Sequence, residues 1–476
     1  MFFRPAACLA LAGASLTSLP ACTTAADVQT ARLTVSEEQR PFVTVDEAKV
    51  AIVGASLIDG SGTASRDDQT ILMENGKIAW VGKTADAPID GHRRIDGRGA
   101  TVIPGIVGMH DHLHRPGTPF TAFSSTRLWL AGGVTAVQTA GAAEAERELE
   151  LARAIEEDGA LGPEIFASAP YVTGPGGNGP MTKPKSEQEA RAFVREWAAK
   201  GVSWFKLYRH TEPAIASAII DEAHRLGLRT TGHLCSISYG KAAEMGIDRV
   251  EHGLNAMADF VEGRSEGECV SNRAAIDALE MDDRRLIALV DTLVRNDVVV
   301  GSTLPIIESG YPARFHIDAR SLDALSPDER ARAEAAREAG RSITDEERKR
   351  TERYTKIAAF ERLFAQRGGT LVTGPDPGRH IVPGYGNQRT AELLYEAGFT
   401  IPEVIRIMTA NGAETLGAGD RIGRIAVGYE ADIVLLEGNL VKDASAINRP
   451  RIVFSNGLGY DPTALARAAS GQVGIR

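Results

Sequence analysis

The chain has 476 residues, long enough to bury a large core in a barrel of about 250 residues or more. Its 43% hydrophobic and 24% charged residues are typical of a globular protein and exclude a disordered or largely membrane-spanning chain. The formal net charge of −10 comes without a clustered basic stretch, which argues against nucleic acid as a partner.

The first residues have the pattern of a secretory signal. Arg4 is an early cation, and a short apolar run and small residues follow it. The run is shorter than the roughly 20 residues that a spanning helix needs. The sequence LPAC, ending at Cys22, resembles the bacterial lipoprotein box and predicts a lipidated Cys22, with plain secretion as the alternative. We therefore expect residues 1–22 to be a lipoprotein-type signal peptide, residues 23–46 a polar tether, and the mature protein periplasmic and lipid-anchored.

Four cysteines are present, and two of them, Cys8 and Cys22, belong to the export segment. Cys235 and Cys269 remain for the folded body, so a disulfide framework is not expected to maintain the fold. The two could bridge in an oxidising compartment, but their spacing gives no sign of it. We expect two independent buried thiols.

Short apolar runs with turn signals occur at both ends of the chain. From Val50 onward, two alternating segments flank Asn75-Gly76, and Asn-Gly is the strongest short hairpin signal. Similar runs return near the C-terminus in RIGRIAVGYEADIVLLEG and RIVFSNG. They predict a small β-sandwich domain formed from residues 47–104 and 422–476.

Residues 105–421 alternate between β-branched apolar runs and amphipathic helical patterns. Eight such units predict an α/β fold with a closed (β/α)8 TIM barrel. A segment at about residues 311–352 breaks the alternation with dense charge of both signs and is expected to be a solvated helical insertion, with a lid or substrate wall as the alternative. The eight runs are GIVGMHDHL, GVTAVQTAG, PEIFASAPYV, VSWFKLY, LRTTGHL, DRVEHG, DVVVGSTLP and GGTLVTGPD.

Polar side chains mark the C-terminal ends of five of these runs. In the first, His110 and His112 flank Asp111, and the alternation of a strand puts both imidazoles on one inward face. His114 continues the alternation but lies past the predicted strand end, so we do not expect it to bind metal. The other inward candidates end later runs: Lys206, His233, His252 and Asp376.

Lys206 is the most informative of these residues. An unpaired ammonium in a buried strand costs several kcal/mol or lowers its own pKa. If the amine reacts with CO₂, the product is a carbamate whose two oxygens can bridge two divalent cations. Imidazole, carbamate and carboxylate ligands would suit zinc and also manganese, cobalt or nickel.

With these residues in this order, the chain resembles the amidohydrolase superfamily. The resemblance runs from about Val50 to Asp461 and includes the closing stretch NGAETLGAGDRIGRIAVGYEADIVLL. Within the superfamily, the chain looks most like prolidase-like and Xaa-amino acid carboxypeptidase-type enzymes, which remove a C-terminal amino acid. The resemblance implies two divalent ions, with His110, His112 and Asp376 on the more buried ion, His233 and His252 on the more exposed one, and Lys206 bridging them as N6-carboxylysine.

The implied mechanism uses a hydroxide formed from a shared water, since divalent ions lower the pKa of bound water from about 15.7 towards neutrality. Asp376 would accept the proton and later deliver it to the leaving amine. Tyr208 would hydrogen-bond the oxyanion or a substrate carboxylate, with a core aromatic as the alternative. Arg209 and His210 are rim candidates for binding a substrate carboxylate. Asn178 is the candidate in a Gly-rich loop where many relatives have a His.

The expected function is amide hydrolysis, on a dipeptide or an N-acyl amino acid. Hydrolysis of a lactone, an ester, a cyclic imide or an imidazolone remains an alternative within the superfamily. A single-metal deaminase would lack Lys206, and a non-catalytic binding protein would have lost a ligand. Small molecules or short peptides are the expected partners, with a membrane contact only through the lipid anchor, and a homo-oligomer is left open.

Overall fold

A computed structural model describes residues 31–114, 119–179, 181–341 and 344–475. The predicted signal peptide and the lipidation site at Cys22 lie outside these residues. Within the described ranges, no helix is both long and apolar enough to cross a membrane.

The described chain alternates strands and helices throughout its middle part. The strands are β1 (Val43–Val45), β2 (Lys49–Leu57), β3 (Arg66–Glu74), β4 (Lys77–Lys83), β5 (Arg93–Asp96), β6 (Ala100–Pro104), β7 (Ile106–Asp111), β8 (Val134–Thr139), β9 (Glu164–Phe166), β10 (Trp204–Leu207), β11 (Arg229–Gly232), β12 (Arg249–Glu251), β13 (Val299–Ser302), β14 (Leu371–Thr373), β15 (Ile433–Glu437), β16 (Pro450–Ser455) and β17 (Leu458–Tyr460). The helices are α1 (Ala122–Ala131), α2 (Ala145–Glu157), α3 (Glu187–Lys200), α4 (Pro213–Arg225), α5 (Tyr239–Glu244), α6 (Arg273–Ala278), α7 (Arg284–Arg295), α8 (Leu304–Glu308), α9 (Ala319–Ala324), α10 (Pro327–Ala339), α11 (Asp345–Gln366), α12 (Tyr385–Glu396), α13 (Ile401–Met408), α14 (Ala410–Leu416) and α15 (Pro462–Ala469).

The two ends of the chain share one nine-stranded sheet. Its order is β1-β17-β16-β15-β6-β2-β3-β4, and β5 also pairs with β2. The β3–β4 hairpin turns at Asn75 (φ 50°) and Gly76 (φ 78°), the left-handed conformations that a two-residue type I′ turn requires. Buried residues of both chain ends, including Ile52, Val102 and Phe454, form one apolar cluster.

The N-terminal tether expected over residues 23–46 is ordered in its described part. β1, at Val43–Val45, pairs antiparallel with β17. Phe42 and Val43 pack against buried Leu458 and Tyr460. The sheet thus begins earlier than Val50, where the sequence predicts its start. The sequence does not reveal β1, because a three-residue strand with one buried position carries too weak an alternation.

Eight parallel strands form the barrel, as the sequence predicts. β7-β8-β9 and β10 to β14 pair in chain order, and bridges at Ser168–Trp204 and Val172–Leu207 join the two groups. The Asp376 amide just beyond β14 donates a hydrogen bond to the His110 carbonyl at 3.0 Å, so the last strand returns to the first. This closure brings the C-terminal ends of all eight strands around one opening, where barrel enzymes have their active sites.

The charged segment at residues 311–352 is mostly helical where it is described. It contains α9, α10 and the first turns of α11. The second half of α11 packs on the barrel through buried Ile357, Phe360 and Phe364. The first turns of α11, including Glu346 and Arg350, instead line a cavity of about 1250 Å³ at the barrel mouth.

Candidate metal centre

Three ligand-type side chains meet where β14 closes against β7. The ligand atoms of His110, His112 and Asp376 all lie within 4.8 Å of one another. His112 Nε2 is 3.2 Å from Asp376 Oδ1, and His110 Nε2 is 3.8 Å from Asp376 Oδ2. Both imidazoles are buried, while the Asp376 side chain keeps a quarter of its surface exposed. The arrangement can hold a cation that remains accessible from the barrel mouth.

His233 and His252 extend this cluster across the barrel. The His252 ring lies 4.9 Å from the His110 ring and 4.3 Å from the His233 ring, measured between centroids. His252 Nε2 is buried and has no hydrogen-bond partner in the described parts of the chain. Buried polar atoms without partners are rare, so this nitrogen points to a missing ligand.

Lys206 is the penultimate residue of β10, next to β11 in the barrel, and its side chain is 1% exposed. Its Nζ has no hydrogen-bond partner among the described residues, and the nearest carboxylate oxygen, on Glu251, is 3.8 Å away. Burial, partly offset by the Glu251 charge, lowers the pKa of the Lys206 amine to about 8. A neutral amine is therefore more accessible here than on a solvated lysine.

Two of the six side chains are held by unusual backbone. His252 (φ 68°) and Asp376 (φ 51°) both adopt left-handed conformations just after short strands. Non-glycine residues pay about 1–3 kcal/mol for sparsely populated backbone regions, and such residues cluster at functional sites. In both cases the turn directs the side chain into the opening of the barrel.

Three buried partners orient the imidazoles. Glu251 Oε2 is 2.8 Å from His110 Nδ1, and Thr303 Oγ1 is 2.7 Å from His252 Nδ1. The Tyr171 hydroxyl is 3.2 Å from Nδ1 of His112. These contacts engage Nδ1 and leave Nε2 of each ring for a metal, as carboxylate and hydroxyl partners of metal-binding histidines commonly do.

Sequence reasoning missed these partners. Glu251 and His252 are adjacent, so strict strand alternation would send them to opposite faces, but the left-handed backbone of His252 turns both inward. A signal was nevertheless present, since Arg249 and Glu251 are charged residues in a buried run. Tyr171 follows β9, and nothing in the sequence around it indicates a contact with a candidate ligand.

Glu251 is the centre of a buried charge cluster. Its Oε1 is 2.8 Å from the Arg249 guanidinium, and both side chains are fully buried. Burial would raise the pKa of the Glu251 carboxyl, but the charges of Arg249 and Lys206 and the hydrogen bond with His110 outweigh it and keep the pKa well below its usual range. One carboxylate therefore faces two cations, Arg249 and Lys206, and it neutralises the charge of the more distant Lys206 ammonium only in part.

Burial keeps the four imidazoles neutral. It lowers the pKa of His110 to about 4 and that of His252 to about 3, and it lowers the pKa values of His112 and His233 as well. The Lys206 charge adds to the effect at each ring. Neutral imidazole is the form that binds metal, so the ligands need no deprotonation at neutral pH.

Of the four predicted substrate-binding residues, three lie near His233 and one lies away from the metal centre. Tyr208 is half-buried, with its ring 4.9 Å from that of His233. Arg209 and His210 line the 1250 Å³ cavity together with His233. Asn178 is exposed on the loop after β9 and does not line this cavity, so the structure does not bring it to the metal centre.

His114, which we did not expect to bind metal, contacts the ligand shell indirectly. Its Nε2 is 3.3 Å from the hydroxyl of Tyr171, the partner of His112. Its Nδ1 is 3.9 Å from a carboxylate oxygen of Glu148, a fully buried side chain. His114 thus belongs to the surroundings of the ligands.

Cys235 and Cys269 form a disulfide, with Cα atoms 4.8 Å apart. The expectation of two independent thiols is wrong, because the loop after β11 and the loop before α6 fold against each other, which a 34-residue separation does not reveal. Cys235 is two residues from His233, and both line the cavity. The disulfide therefore ties the cavity wall to a strand end that carries a candidate ligand.

Comparisons with known sequences show similarity to a family over part of the chain. A sequence model described as the amidohydrolase family matches residues 325–458. The imidazolonepropionase of Streptomyces avermitilis is 35% identical over 95 residues, which are 19% of this chain and 23% of that protein. The imidazolonepropionase of Micrococcus luteus is 26% identical over 390 residues, 78% of this chain and 88% of that one. The match to the Streptomyces avermitilis protein spans about a quarter of that protein's length.

Solved structures share the fold over most of the chain. A putative prolidase from Bifidobacterium longum has a TM-score of 0.65 at 24% identity, covering 88% of this chain and 98% of that one. The bottromycin amidohydrolase has a TM-score of 0.69 at 20% identity, covering 90% and 91%. At these identities the likeness shows the fold. The chain thus shares its fold with these amidohydrolase structures, and its residues 325–458 match the amidohydrolase family.

Proposed function

We propose that the protein is a binuclear metal-dependent hydrolase that cleaves a C–N amide bond of a short peptide or an N-acyl amino acid. The observation that carries the proposal is the buried Lys206 Nζ, without a hydrogen-bond partner in the described chain and close to a cluster of neutral imidazoles. A lysine in that position is explained by carboxylation of its amine. The reaction joins the neutral amine to CO₂ and releases one proton.

The donor set fits two divalent ions. His110, His112 and Asp376 would hold one ion, since their ligand atoms already lie within 4.8 Å of one another. The unpartnered Nε2 of His252 supports a second ion, which His252 and His233 would hold, with carboxylated Lys206 as a ligand common to both ions. Nitrogen and oxygen ligands of this kind suit zinc, although manganese, cobalt or nickel would also fit.

When bound, such ions would lower the pKa of a water and polarise a substrate carbonyl. The protein's own groups would do the rest. Contacts with His110 and His112 outweigh burial and keep the pKa of Asp376 well below its usual range, so the side chain is ionised, which is the form that a general base must have. Burial raises the pKa of Tyr208, so its hydroxyl stays protonated and can donate to the substrate carbonyl oxygen.

A second candidate is hydrolysis of a cyclic amide such as an imidazolone. The observation in its favour is the alignment with the Micrococcus luteus imidazolonepropionase over 78% of the chain. A single-metal centre would leave no ligand role for Lys206. The number of bound ions and the preferred substrate therefore separate the two candidates.

The test is metal analysis combined with a rate screen. Purified protein loaded with Zn²⁺ and bicarbonate should contain about two ions per chain and hydrolyse some members of a panel of dipeptides and N-acyl amino acids varied at the C-terminal residue. His233→Asn should lose one ion. His224→Asn is the matched control, because His224 is an exposed histidine paired with Asp248 on the outside of the barrel. One ion in the wild type, with imidazolone or lactone as the sole substrate, would refute the proposal.

We also propose that the protein is exported and anchored through Cys22. The export pattern of residues 1–22 supports this, and so does the Cys235–Cys269 disulfide, since disulfides persist mainly in oxidising compartments. Membrane fractionation of cells that express the full chain should recover it with the membranes. Cys22→Ala should release it to the soluble periplasmic fraction, and recovery of both proteins in the cytoplasm would refute the proposal.

A further inference from the structure

The cavity beside the metal centre is richer in cations than the rest of the protein. Its lining contains six cationic side chains and four carboxylates, although the whole chain carries a net charge of −10. The carboxylates are those of Asp277, Glu346, Glu347 and Glu352. The cationic side chains are those of Arg209, Arg273, Arg350, Arg353, Lys356 and Arg379. A concave wall of one predominant sign concentrates ligands of the opposite sign.

We propose that this cavity selects peptides or N-acyl amino acids that carry an acidic side chain, whose carboxylate is bound by Arg209 and Arg273. The inference rests on the proposed function and names its substrate class.

Three of the six cations are already occupied by the protein itself. Arg353 forms a two-point contact with Asp277, with Nε 2.6 Å from Oδ1 and Nη2 2.5 Å from Oδ2. Arg350 Nη2 donates to Glu346 at 2.7 Å, and Lys356 Nζ donates to the carbonyl oxygens of Asp277 and Leu279. The Arg353 and Lys356 contacts join α11 to the segment of α6, and the Arg350 contact stays within α11, so all three side chains already have partners in the protein.

Arg209 and Arg273 are different. Both are exposed to the cavity, and neither lies within 4.0 Å of a carboxylate of the described residues. The Arg209 guanidinium lies against the disulfide, with Nη2 3.7 Å from Cys269 Sγ, an apolar support that does not neutralise its charge. A guanidinium offers several N–H donors in a planar fork that matches a carboxylate.

The carboxylates that remain do not cancel these two charges. Glu347 accepts a hydrogen bond from the Thr344 amide at 2.8 Å and caps α11. Glu352 is exposed on the same helix. Both lie on α11, whereas Arg209 follows β10 and Arg273 begins α6.

Both arginines are fixed to segments that carry candidate ligands. Arg209 is three residues after Lys206. Arg273 starts α6 directly after Asn272, whose amide donates to the carbonyl oxygens of Asn255 and Met257 at 2.9 Å each. Asn255 is three residues after His252, so Arg273 is connected to the strand end that bears this histidine. An acidic group bound here would lie in the same cavity that His233 lines.

The test compares matched substrate pairs with metal-loaded protein. Ala-Glu against Ala-Gln, and Glu-Ala against Gln-Ala, differ in charge at nearly constant shape. For at least one pair we expect a kcat/KM about tenfold higher for the acidic member, mainly through KM, because its carboxylate gains charge-assisted hydrogen bonds that the amide lacks. Tenfold corresponds to about 1.4 kcal/mol. Arg273→Gln should reduce that ratio to about twofold or less by the same arithmetic.

Arg350→Gln is the matched control, because Arg350 lines the same cavity but is paired with Glu346. It should leave the acidic preference unchanged. Equal rates for acidic and neutral members, or an equal loss of preference in both variants, would overturn this inference while amide hydrolysis stands. If active, metal-loaded protein cleaves no amide at all, the proposed function fails and the inference fails with it. Calorimetry with glutamate and glutamine provides a readout without turnover, and equal affinities there would also overturn the inference.

Discussion

Replacing Glu251 with Gln tests the buried charge cluster behind the metal centre. The substitution keeps the size of the side chain and removes its charge. It leaves the fully buried Arg249, now 2.8 Å from an amide oxygen or nitrogen, without its counter-charge, and it removes the carboxylate nearest to Lys206. It also weakens the 2.8 Å contact that orients His110.

The expected cost follows from these contacts. Breaking a buried ion pair by removing one partner costs about 3–5 kcal/mol, because the other charge stays buried and uncompensated. Loss of a carboxylate partner behind a metal-binding histidine lowers metal affinity by about 10- to 100-fold. We expect the Glu251→Gln protein to show both effects.

The assay is urea unfolding of the metal-free proteins, followed by metal titration of the folded ones. Glu361→Gln is the matched control, because Glu361 is equally buried but burial raises its pKa to about 8, so that it is mostly a neutral acid at pH 7. This control should lose less than about 1 kcal/mol, the range of a near-isosteric change. If Glu251→Gln unfolds with the same free energy as Glu361→Gln and binds metal as the wild type does, the assigned role of Glu251 is wrong.

Three further predictions address other parts of the molecule. Lys206→Gln should bind fewer ions than the wild type and lose the response of activity to added bicarbonate, and a variant with two ions and full activity would contradict the carboxylated bridge. For Glu361, a folded pKa of about 8 against 4.5 means that burial favours the protonated form, so stability is greatest at low pH and is lost as pH rises through about 8. Urea unfolding should therefore show the wild type losing stability relative to Glu361→Gln between about pH 5 and pH 8, and a constant difference would refute this. Replacing Cys235 and Cys269 together with Ser should lower the free energy of unfolding by about 3–4 kcal/mol for a loop of this length and weaken metal binding at His233, whereas unchanged thermal stability and metal content would show that the disulfide has no such role.

The sequence determined the architecture because its signals are local and repeated. The period of two along β7 puts His110 and His112 on one face, and Asn75-Gly76 has the backbone freedom that its hairpin turn requires. Eight strand-then-helix units predicted the barrel. The barrel in turn predicted that polar residues at distant strand ends would meet at one opening.

Tertiary structure decided what depends on distances between segments. Glu251 faces the same interior as His252 because His252 adopts a left-handed backbone, which no alternation rule anticipates. Tyr171 reaches His112 from another strand end, and Cys235 meets Cys269 because two loops cross at the barrel mouth. A periodic pattern specifies which face a side chain takes within its own strand, whereas contacts between loops arise only when the barrel closes and brings those loops together.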